Sequence, residues 1–311
     1  MSDAGEVGVI AVDVGGTGIK AALLDAAGRV LRRVDEPTPV SDGPSAVVDA
    51  VRQAACELAG PEVVAAGVVV PGSVDVAAGT ARYSANLGWR DVPLRDLLAV
   101  DLGVPVAIEH DVRAAGLAER TLGRARGVAD CLIVVIGTGI ACAVVSGGMA
   151  VRGAAGLAGE IGHMPVYADG DVCACGQRGC LETYASAAAI GRRYRAAGGV
   201  LTGAREIAAA CGSDPLARTA WREATDALGI ALASYTMLLD PELIVLGGGL
   251  AGAGEVLLVP VQTALAARLA WRAVPPVELS PLGSRAGELG AAILAWQAAG
   301  RTDLPAGTPA A

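Results

Sequence analysis

The sequence predicts a mixed α/β fold made of two related halves. The apolar run from Val7 to Val12 leads into Asp13-Val14-Gly15-Gly16-Thr17-Gly18, after which alternating apolar residues resume. About 120 residues later the pattern returns, where Cys131 to Ile136 leads into Gly137-Thr138-Gly139 and a second apolar stretch. Helical spacing of apolar residues follows each strand–turn–strand opening. The repeat indicates two α/β halves that face each other across a cleft.

In the first half, apolar alternation over 19–24 and 29–34 predicts an antiparallel meander with the opening strand. Ser45 is a suitable N-cap for a helix that extends to Ala59. The remaining elements alternate between strand and helix. They are predicted at 63–70 (strand), 94–102 (helix), 106–109 (strand) and 112–122 (helix).

In the second half, the spacing predicts a long helix from about 215 to 239 and a strand over 243–246 that enters Gly247-Gly248-Gly249. A last helix is predicted from about 286 to 298, and we expect it to return to the first domain. The smaller N-terminal domain would then comprise 1–112 plus 287–311, and the larger C-terminal domain 113–286. The tail from Gly300 is expected to fray.

The composition favours a soluble, cytoplasmic protein. Apolar residues are 53% of 311, but many are alanine, and no run approaches the ~20 apolar residues of a membrane-spanning helix. Residues 1–8 lack the basic start and apolar core of a signal peptide. The net charge is −8 and there is no arginine-rich stripe with aromatic residues. We therefore expect no nucleic-acid partner and no membrane partner.

The cysteines and histidines indicate a structural zinc site. There are seven cysteines and two histidines, and His163 precedes a cluster of Cys173, Cys175 and Cys180. One imidazole and three thiolates are a complete tetrahedral ligand set for zinc. An odd cysteine number without a secretory context favours a metal with reduced thiols over disulfides. Glu160 and Glu182 flank the cluster, so the metal is expected to shape a polar pocket.

The glycine turns are candidate phosphate sites. Exposed backbone N–H groups at a strand end can surround phosphate oxygens, and a threonine adds a hydroxyl donor. Asp13 could hold Mg²⁺, through water, because hard cations favour carboxylate oxygen. The alternative is a tight hairpin that needs positive φ at glycine. The candidate nucleotide-binding residues are Gly15, Gly16, Thr17, Lys20 (the only lysine), Gly137, Thr138, Gly139, Gly247 and Gly248.

Three such turns resemble the two phosphate loops and the adenosine loop of the actin-like (ribonuclease H-like) ATPase superfold. The block Glu160-Ile161-Gly162-His163, followed by the stretch from Cys173 to Glu182, resembles the ROK family of sugar kinases and sugar-responsive repressors. Asn86-Leu87-Gly88-Trp89 and the stretch from Gly153 to His163 resemble that family as well. The resemblance extends from about Val9 to Ala298.

The resemblance implies a fold of two actin-like domains around a central cleft. It implies the activity of an ATP:hexose 6-phosphotransferase of the glucokinase type, which uses ATP and Mg²⁺. It also implies a homodimer. Asp111 would be the general base that accepts the proton of the attacking 6-hydroxyl. One ring nitrogen of His163 would bind zinc while the other donates to the sugar. Trp89 would line the sugar entrance. The substrate-binding residues would be Asn86, His110, Asp111, Glu160, His163 and Glu182.

The chain departs from the family pattern beside the proposed base. It has Glu109-His110-Asp111 where the family usually has Glu-Asn-Asp, and Arg113 where a second asparagine is common. The family asparagine contacts hydroxyls near carbons 3 and 4 of a hexose. We favour a direct sugar contact for His110, because it adjoins the base. The alternatives are a neutral replacement or a ring turned into the core.

If His110 contacts the sugar, substrates other than glucose become candidates. A sugar altered at carbon 3 or 4, such as kanosamine (the 3-amino analogue of glucose), is an alternative substrate to glucose, as is N-acetylmannosamine.

Two functions other than a kinase are also considered. A repressor of this family would carry an N-terminal helix-turn-helix, whereas the first strand here is predicted to begin by Val7. A sugar sensor without catalysis is favoured only by the change at His110.

Overall fold

The computed structural model describes residues 7–301. Residues 1–6 and 302–311, which include most of the predicted tail and the outer ends of the predicted first domain, lie outside the described residues. The strands are β1 (Gly8–Val14), β2 (Gly18–Asp25), β3 (Val30–Pro37), β4 (Val63–Val70), β5 (Ser73–Asp75), β6 (Thr80–Ser84), β7 (Trp89–Val92), β8 (Val106–His110), β9 (Cys131–Ile136), β10 (Ile140–Ser146), β11 (Met149–Ala150), β12 (Leu243–Gly247) and β13 (Val277–Leu279). The helices are α1 (Pro44–Glu57), α2 (Leu94–Leu102), α3 (Asp111–Thr121), α4 (Glu182–Ala185), α5 (Ala187–Ala196), α6 (Ala204–Ala210), α7 (Pro215–Leu239), α8 (Glu255–Ala266) and α9 (Ala286–Ala298).

The chain divides into two compact units. Of the described residues, the first unit comprises 7–123, Gly153–Leu157 and 285–301, and the second comprises Arg124–Arg152 and Ala158–Ser284. The expected domain boundary between 112 and 113 differs from this division. It would cut α3 after its second residue, whereas α3 packs along α9 and lies wholly in the first unit.

The first unit contains a five-stranded sheet in the order β3-β2-β1-β4-β8. β1, β2 and β3 pair antiparallel, which confirms the predicted meander, and β4 and β8 continue the sheet in parallel. α9 packs against β4 so closely that a Cβ at Gly67 would overlap the carbonyl oxygen of Ala291. The predicted return of the last helix to the first strands is therefore found in the structure.

The second unit repeats this arrangement. Its sheet has the order β11-β10-β9-β12-β13. β9 pairs antiparallel with β10 and parallel with β12, as β1 does with β2 and β4. In both units the opening strand is central, and its apolar side chains are buried in the unit's own core. The α/β class and the two related halves are thus confirmed.

Two local features differ from the sequence prediction. α1 begins at Pro44 with Gly43 as its N-cap, so Ser45 is inside the helix and is not its cap. A three-stranded sheet of β5, β6 and β7 was not predicted, because its strands are short and only half-buried. Among residues 7–301, no helix is both long and apolar enough to cross a membrane.

Candidate active site

The turn between β1 and β2 is a compact backbone loop. The Gly15 N–H donates to the Gly18 carbonyl at 2.9 Å, and the Thr38 hydroxyl donates to the Gly15 carbonyl at 2.6 Å. Neither Gly15 nor Gly16 has a positive φ, so a strained hairpin does not explain these two glycines. A Cβ at Gly16 would lie 3.4 Å from the Cβ of Asn86. The turn therefore lies directly beside Asn86, and its glycines keep the backbone accessible.

Asp13, near the end of β1, lies among charged groups. Lys20 is directly opposite it on β2. Burial raises the pKa of Asp13 to about 7; the Asp111 and Glu288 carboxylates also raise it, and Lys20 lowers it. A Cβ at Gly287 would lie 2.9 Å from Asp13 Oδ2, so the start of α9 packs against this carboxylate. A cation bound here would favour the ionised form.

β8 ends at His110, and α3 begins at Asp111, so the proposed base lies at a helix N-terminus. The Val112 N–H donates to Asp111 Oδ1 at 2.7 Å and to His110 Nδ1 at 3.2 Å. His110 is thus the N-cap of α3, and its side chain is 8% exposed. The ring is fixed against the helix that carries Asp111.

The Asp111 carboxylate is in an environment suited to proton transfer. Its side chain is 33% exposed. Burial raises its pKa to about 6, while the hydrogen bond from Val112 and the charge of Arg113 lower it. A carboxylate with a pKa just below neutrality is ionised at pH 7 and is still basic enough to accept a proton.

In the second unit, two glycine turns lie side by side. The Gly137 N–H donates to the Gly139 carbonyl at 2.9 Å in the turn between β9 and β10. β12 runs parallel to β9 and ends at Gly247. Gly248 has a φ of +79°, and a Cβ there would lie 2.5 Å from the carbonyl oxygen of Ile136. The structure therefore brings together the glycine turn over 137–139 and the glycine turn that begins at Gly247, where the parallel strands β9 and β12 end.

Glu160, His163 and Glu182 lie around the first residue of β10. Glu182 Oε2 accepts a hydrogen bond from the Ile140 N–H at 3.0 Å. A one-turn 3₁₀ helix over Ile161–His163 begins after Glu160 and lies so close that a Cβ at Gly162 would overlap the Ile140 carbonyl. Three of the predicted sugar-binding residues are therefore neighbours, next to the turn over 137–139.

The predicted zinc ligands form a cluster. One ligand atom from each of His163, Cys173, Cys175 and Cys180 lies within 4.8 Å of the other three. His163 Nδ1 is 3.8 Å from Cys173 Sγ, and the sulfurs of Cys175 and Cys180 are 3.7 Å apart. Tetrahedral zinc with Zn–S bonds of about 2.3 Å separates its sulfurs by about 3.8 Å. Burial raises the pKa of Cys180 to about 12, so a thiolate there needs a bound cation.

Comparison with known proteins agrees with this architecture. The model of the ROK family matches residues 9–298. The chain belongs to the ROK family. It is 33% identical over 308 residues to a glucokinase of Streptomyces coelicolor, covering 92% of this chain and 96% of that relative. It is 36% identical over 304 residues to a glucokinase of Thermotoga maritima, covering 91% and 96%.

A solved structure of a ROK family glucokinase extends the comparison to three dimensions. The protein, from Streptomyces griseus and in complex with glucose and AMPPNP, has a TM-score of 0.81 and 33% identity, covering 93% of this chain and 99% of that one. The actin-like ATPase fold that the glycine turns predicted is thereby confirmed for this ROK chain.

Sequence reasoning misplaced one residue of this ROK chain and missed another. Trp89 is fully buried and its Nε1 donates to the Pro44 carbonyl at 3.1 Å, so it belongs to the core and does not line an entrance. Glu288 is buried beside Asp13 and pairs with Arg33 and Arg285. The signal that could have found it is an acid within the otherwise apolar helix α9.

Proposed function

We propose that this protein is an ATP-dependent hexose kinase that phosphorylates the 6-hydroxyl of a glucose-like sugar. The observation that carries the proposal is Asp111 at the start of α3, with a raised pKa and in electrostatic contact with Asp13 beside the first glycine turn. The similarity to two glucokinases over nine-tenths of the chain supports the same activity.

Asp111 is proposed as the general base. Phosphoryl transfer requires the attacking hydroxyl to be oriented and its proton to be accepted as the bond to phosphorus forms. The hydrogen bond from Val112 holds Asp111 Oδ1 in place, so its carboxylate is positioned before the sugar arrives. That arrangement avoids part of the entropic cost of reaching the transition state.

The sugar is proposed to be bound by six residues, which are Asn86, His110, Asp111, Glu160, His163 and Glu182. Carboxylate, amide and imidazole groups pair directionally with hydroxyls, and a misplaced hydroxyl leaves a buried polar group unpaired. Because Nδ1 of His110 accepts from Val112, a contact from that ring would be made through Nε2.

ATP is proposed to bind at the glycine turns, with phosphate contacts from Gly15, Gly16, Thr17 and Lys20 and from the turn over 137–139, and further nucleotide contacts from Gly247 and Gly248. The Mg²⁺ ion that accompanies ATP would be held by Asp13, through water. A buried carboxylate whose pKa is about 7 fits this role, since cation binding relieves the cost of ionising it. Bound there, Mg²⁺ would neutralise phosphate charge.

Zinc is proposed to be the ion held by His163, Cys173, Cys175 and Cys180. The ligand atoms have the chemistry of a tetrahedral zinc site, and two of their pairs lie 3.7 and 3.8 Å apart, close to the separation that such a site requires. Because Nδ1 of His163 faces the thiols, zinc would fix the ring so that Nε2 can donate to a sugar hydroxyl.

The protein is also proposed to be a cytoplasmic homodimer. Exposed apolar side chains occur on both helices of the packed pair α7 and α8 in the second unit, at the end of α7 and in the first half of α8. They are Met237, Leu238, Val256 and Val259. Sedimentation equilibrium tests the proposal: a mass twice that of the 30.8 kDa chain is expected, and a monomer at micromolar concentration would contradict it.

An amino sugar remains the second candidate substrate, because His110 replaces the usual asparagine beside the base. ADP release should be measured with glucose, glucosamine, kanosamine, N-acetylmannosamine and fructose at equal concentrations. Turnover with glucose or one of its amino analogues, with the phosphate on carbon 6, supports the proposal. No ADP release with any of these sugars would favour a sensor.

A further inference from the structure

A five-residue loop of the chain is held at its tip by one buried arginine. Residues Gly153–Leu157 belong to the first unit, although the chain on either side belongs to the second. The base of the loop is closed by a hydrogen bond of 3.1 Å from the Ala158 N–H to the Arg152 carbonyl. At its tip, the Gly156 carbonyl accepts from Arg113 Nη1 at 2.9 Å.

Arg113 connects that tip to the strand end beside the proposed base. Its Nε donates to Glu109 Oε1 at 2.9 Å, and the same oxygen accepts the N–H of His110 at 2.8 Å. The Arg113 and Glu109 side chains are 4% and 5% exposed. The guanidinium thus forms one buried link from the end of β8, across the first turn of α3, to the Gly156 carbonyl.

The cost of burying this arginine argues that the link has a purpose. A buried ion pair contributes little net stability, because desolvation offsets the attraction between the charges. In addition, Arg113 Nη2 is buried and makes no hydrogen bond to any residue that the structure describes. Neutralising the charge of Glu109 explains the contact that the guanidinium makes through Nε, but it does not explain the second contact, through Nη1, with the Gly156 carbonyl.

Gly156 lies four residues before Glu160, which is proposed to bind the sugar. A peptide of this length spans at most ~14 Å, and Gly159 between them is fixed where its carbonyl accepts the Cys142 N–H at 2.8 Å. Arg113 at Gly156 and Cys142 at Gly159 thus both hold the chain just before Glu160, and releasing Gly156 removes one of these two restraints.

We propose that Arg113 is a positioning residue, which holds the loop Gly153–Leu157 against the helix that begins at Asp111 and thereby sets the enzyme's affinity for its sugar. The inference rests on the proposed kinase function. Arg113 occupies a position where the family pattern commonly has asparagine, which is too short to make both contacts. The link is therefore a property of this chain's own residues.

Two variants test the link without leaving a buried charge unpaired. Arg113→Lys keeps a cation for Glu109, but its side chain ends one bond short of Nη1 and lacks the guanidinium fork that joins Glu109 to Gly156. The double variant Glu109→Gln/Arg113→Met removes both charges together, so it remains folded if the pair only neutralises itself. Arg32→Lys is the matched control, since Arg32 also donates to a glutamate, Glu62, and to a backbone carbonyl, that of Leu58.

For each variant, KM and kcat for glucose should be measured together with hydrogen exchange of the peptide over 153–157. We expect KM to rise by ~10-fold or more in both test variants, with faster exchange in that peptide and melting temperatures near that of the parent. Arg32→Lys should behave as the parent in all three measurements.

If KM stays within twofold of the parent in both variants, or if exchange over 153–157 is unchanged, Arg113 does not position the loop and the inference is overturned. A parent protein that does not phosphorylate any hexose overturns the proposed function instead. In that case the exchange measurement alone decides whether Arg113 holds the loop.

Discussion

Asp13 lies directly opposite Lys20 across the antiparallel pair β1 and β2, at the edge of the glycine turn that joins them. Side chains opposed in this way share a face of the sheet and interact. Lys20 is nevertheless a minor influence: burial and the neighbouring Asp111 raise the pKa of Asp13 to about 7. The protein thus maintains an acid that is costly to ionise until a cation is bound.

Asp13→Asn should stabilise the ligand-free protein while it removes activity. A carboxyl whose folded pKa is raised favours the folded state at low pH, and that advantage is lost as pH rises from the unfolded pKa of 3.8 through the folded value of about 7. The variant should therefore gain more in melting temperature at pH 8 than at pH 5. An equal gain at both pH values would contradict the buried, costly carboxylate.

His110→Asn and His110→Ala separate the two roles of this residue. Asparagine is a favoured N-cap and should keep the stability of α3, whereas alanine leaves the Val112 N–H with Asp111 Oδ1 as its remaining acceptor and should cost about 0.5–1 kcal/mol in urea unfolding. If His110 also contacts the sugar, the asparagine variant should raise the preference for glucose over kanosamine by ~10-fold. An unchanged sugar ranking would leave His110 as a helix cap only.

Cys175→Ser should lose zinc and raise KM for the sugar together, because His163 would no longer be held in one orientation. Metal content by mass spectrometry and steady-state kinetics measure the two effects. Cys211→Ser is the control, since Cys211 Sγ donates to the Ile207 carbonyl, away from the cluster. The zinc assignment fails if the parent, grown with zinc, is purified without it.

Most of the fold could be predicted, because its signals are local. The turn glycines and apolar alternation predicted β1 to β3 as a meander, and apolar spacing gave both ends of α7 and α9 correctly. The small sheet β5-β6-β7 could not be predicted, because its strands are only three to five residues long. These short strands are held by packing against the rest of the first unit, and the spacing of apolar residues along the chain carries no information about such tertiary contacts.

Site residues that are close together in the sequence could be predicted to form a site, whereas the proximity of residues that are far apart in the sequence could not. The ligand set at His163 and Cys173 to Cys180 follows from spacing alone. The proximity of Glu182 to Gly139, or of Asn86 to Gly16, depends on segments that are distant in sequence and meet only in the folded chain. The expectation for Trp89 was wrong because its aromatic ring is as well suited to a core as to a sugar entrance.

Kinetics of Asp111→Asn with glucose and ATP test the central claim most directly. The asparagine oxygen can still accept the Val112 N–H, so the start of α3 should be retained while the base is lost. Asp96→Asn, an exposed acid in the first turn of α2, is the matched control. The account predicts that kcat falls by ~10²–10⁴-fold in Asp111→Asn, with glucose affinity little changed and Asp96→Asn fully active. A kcat near that of the parent in Asp111→Asn would contradict it.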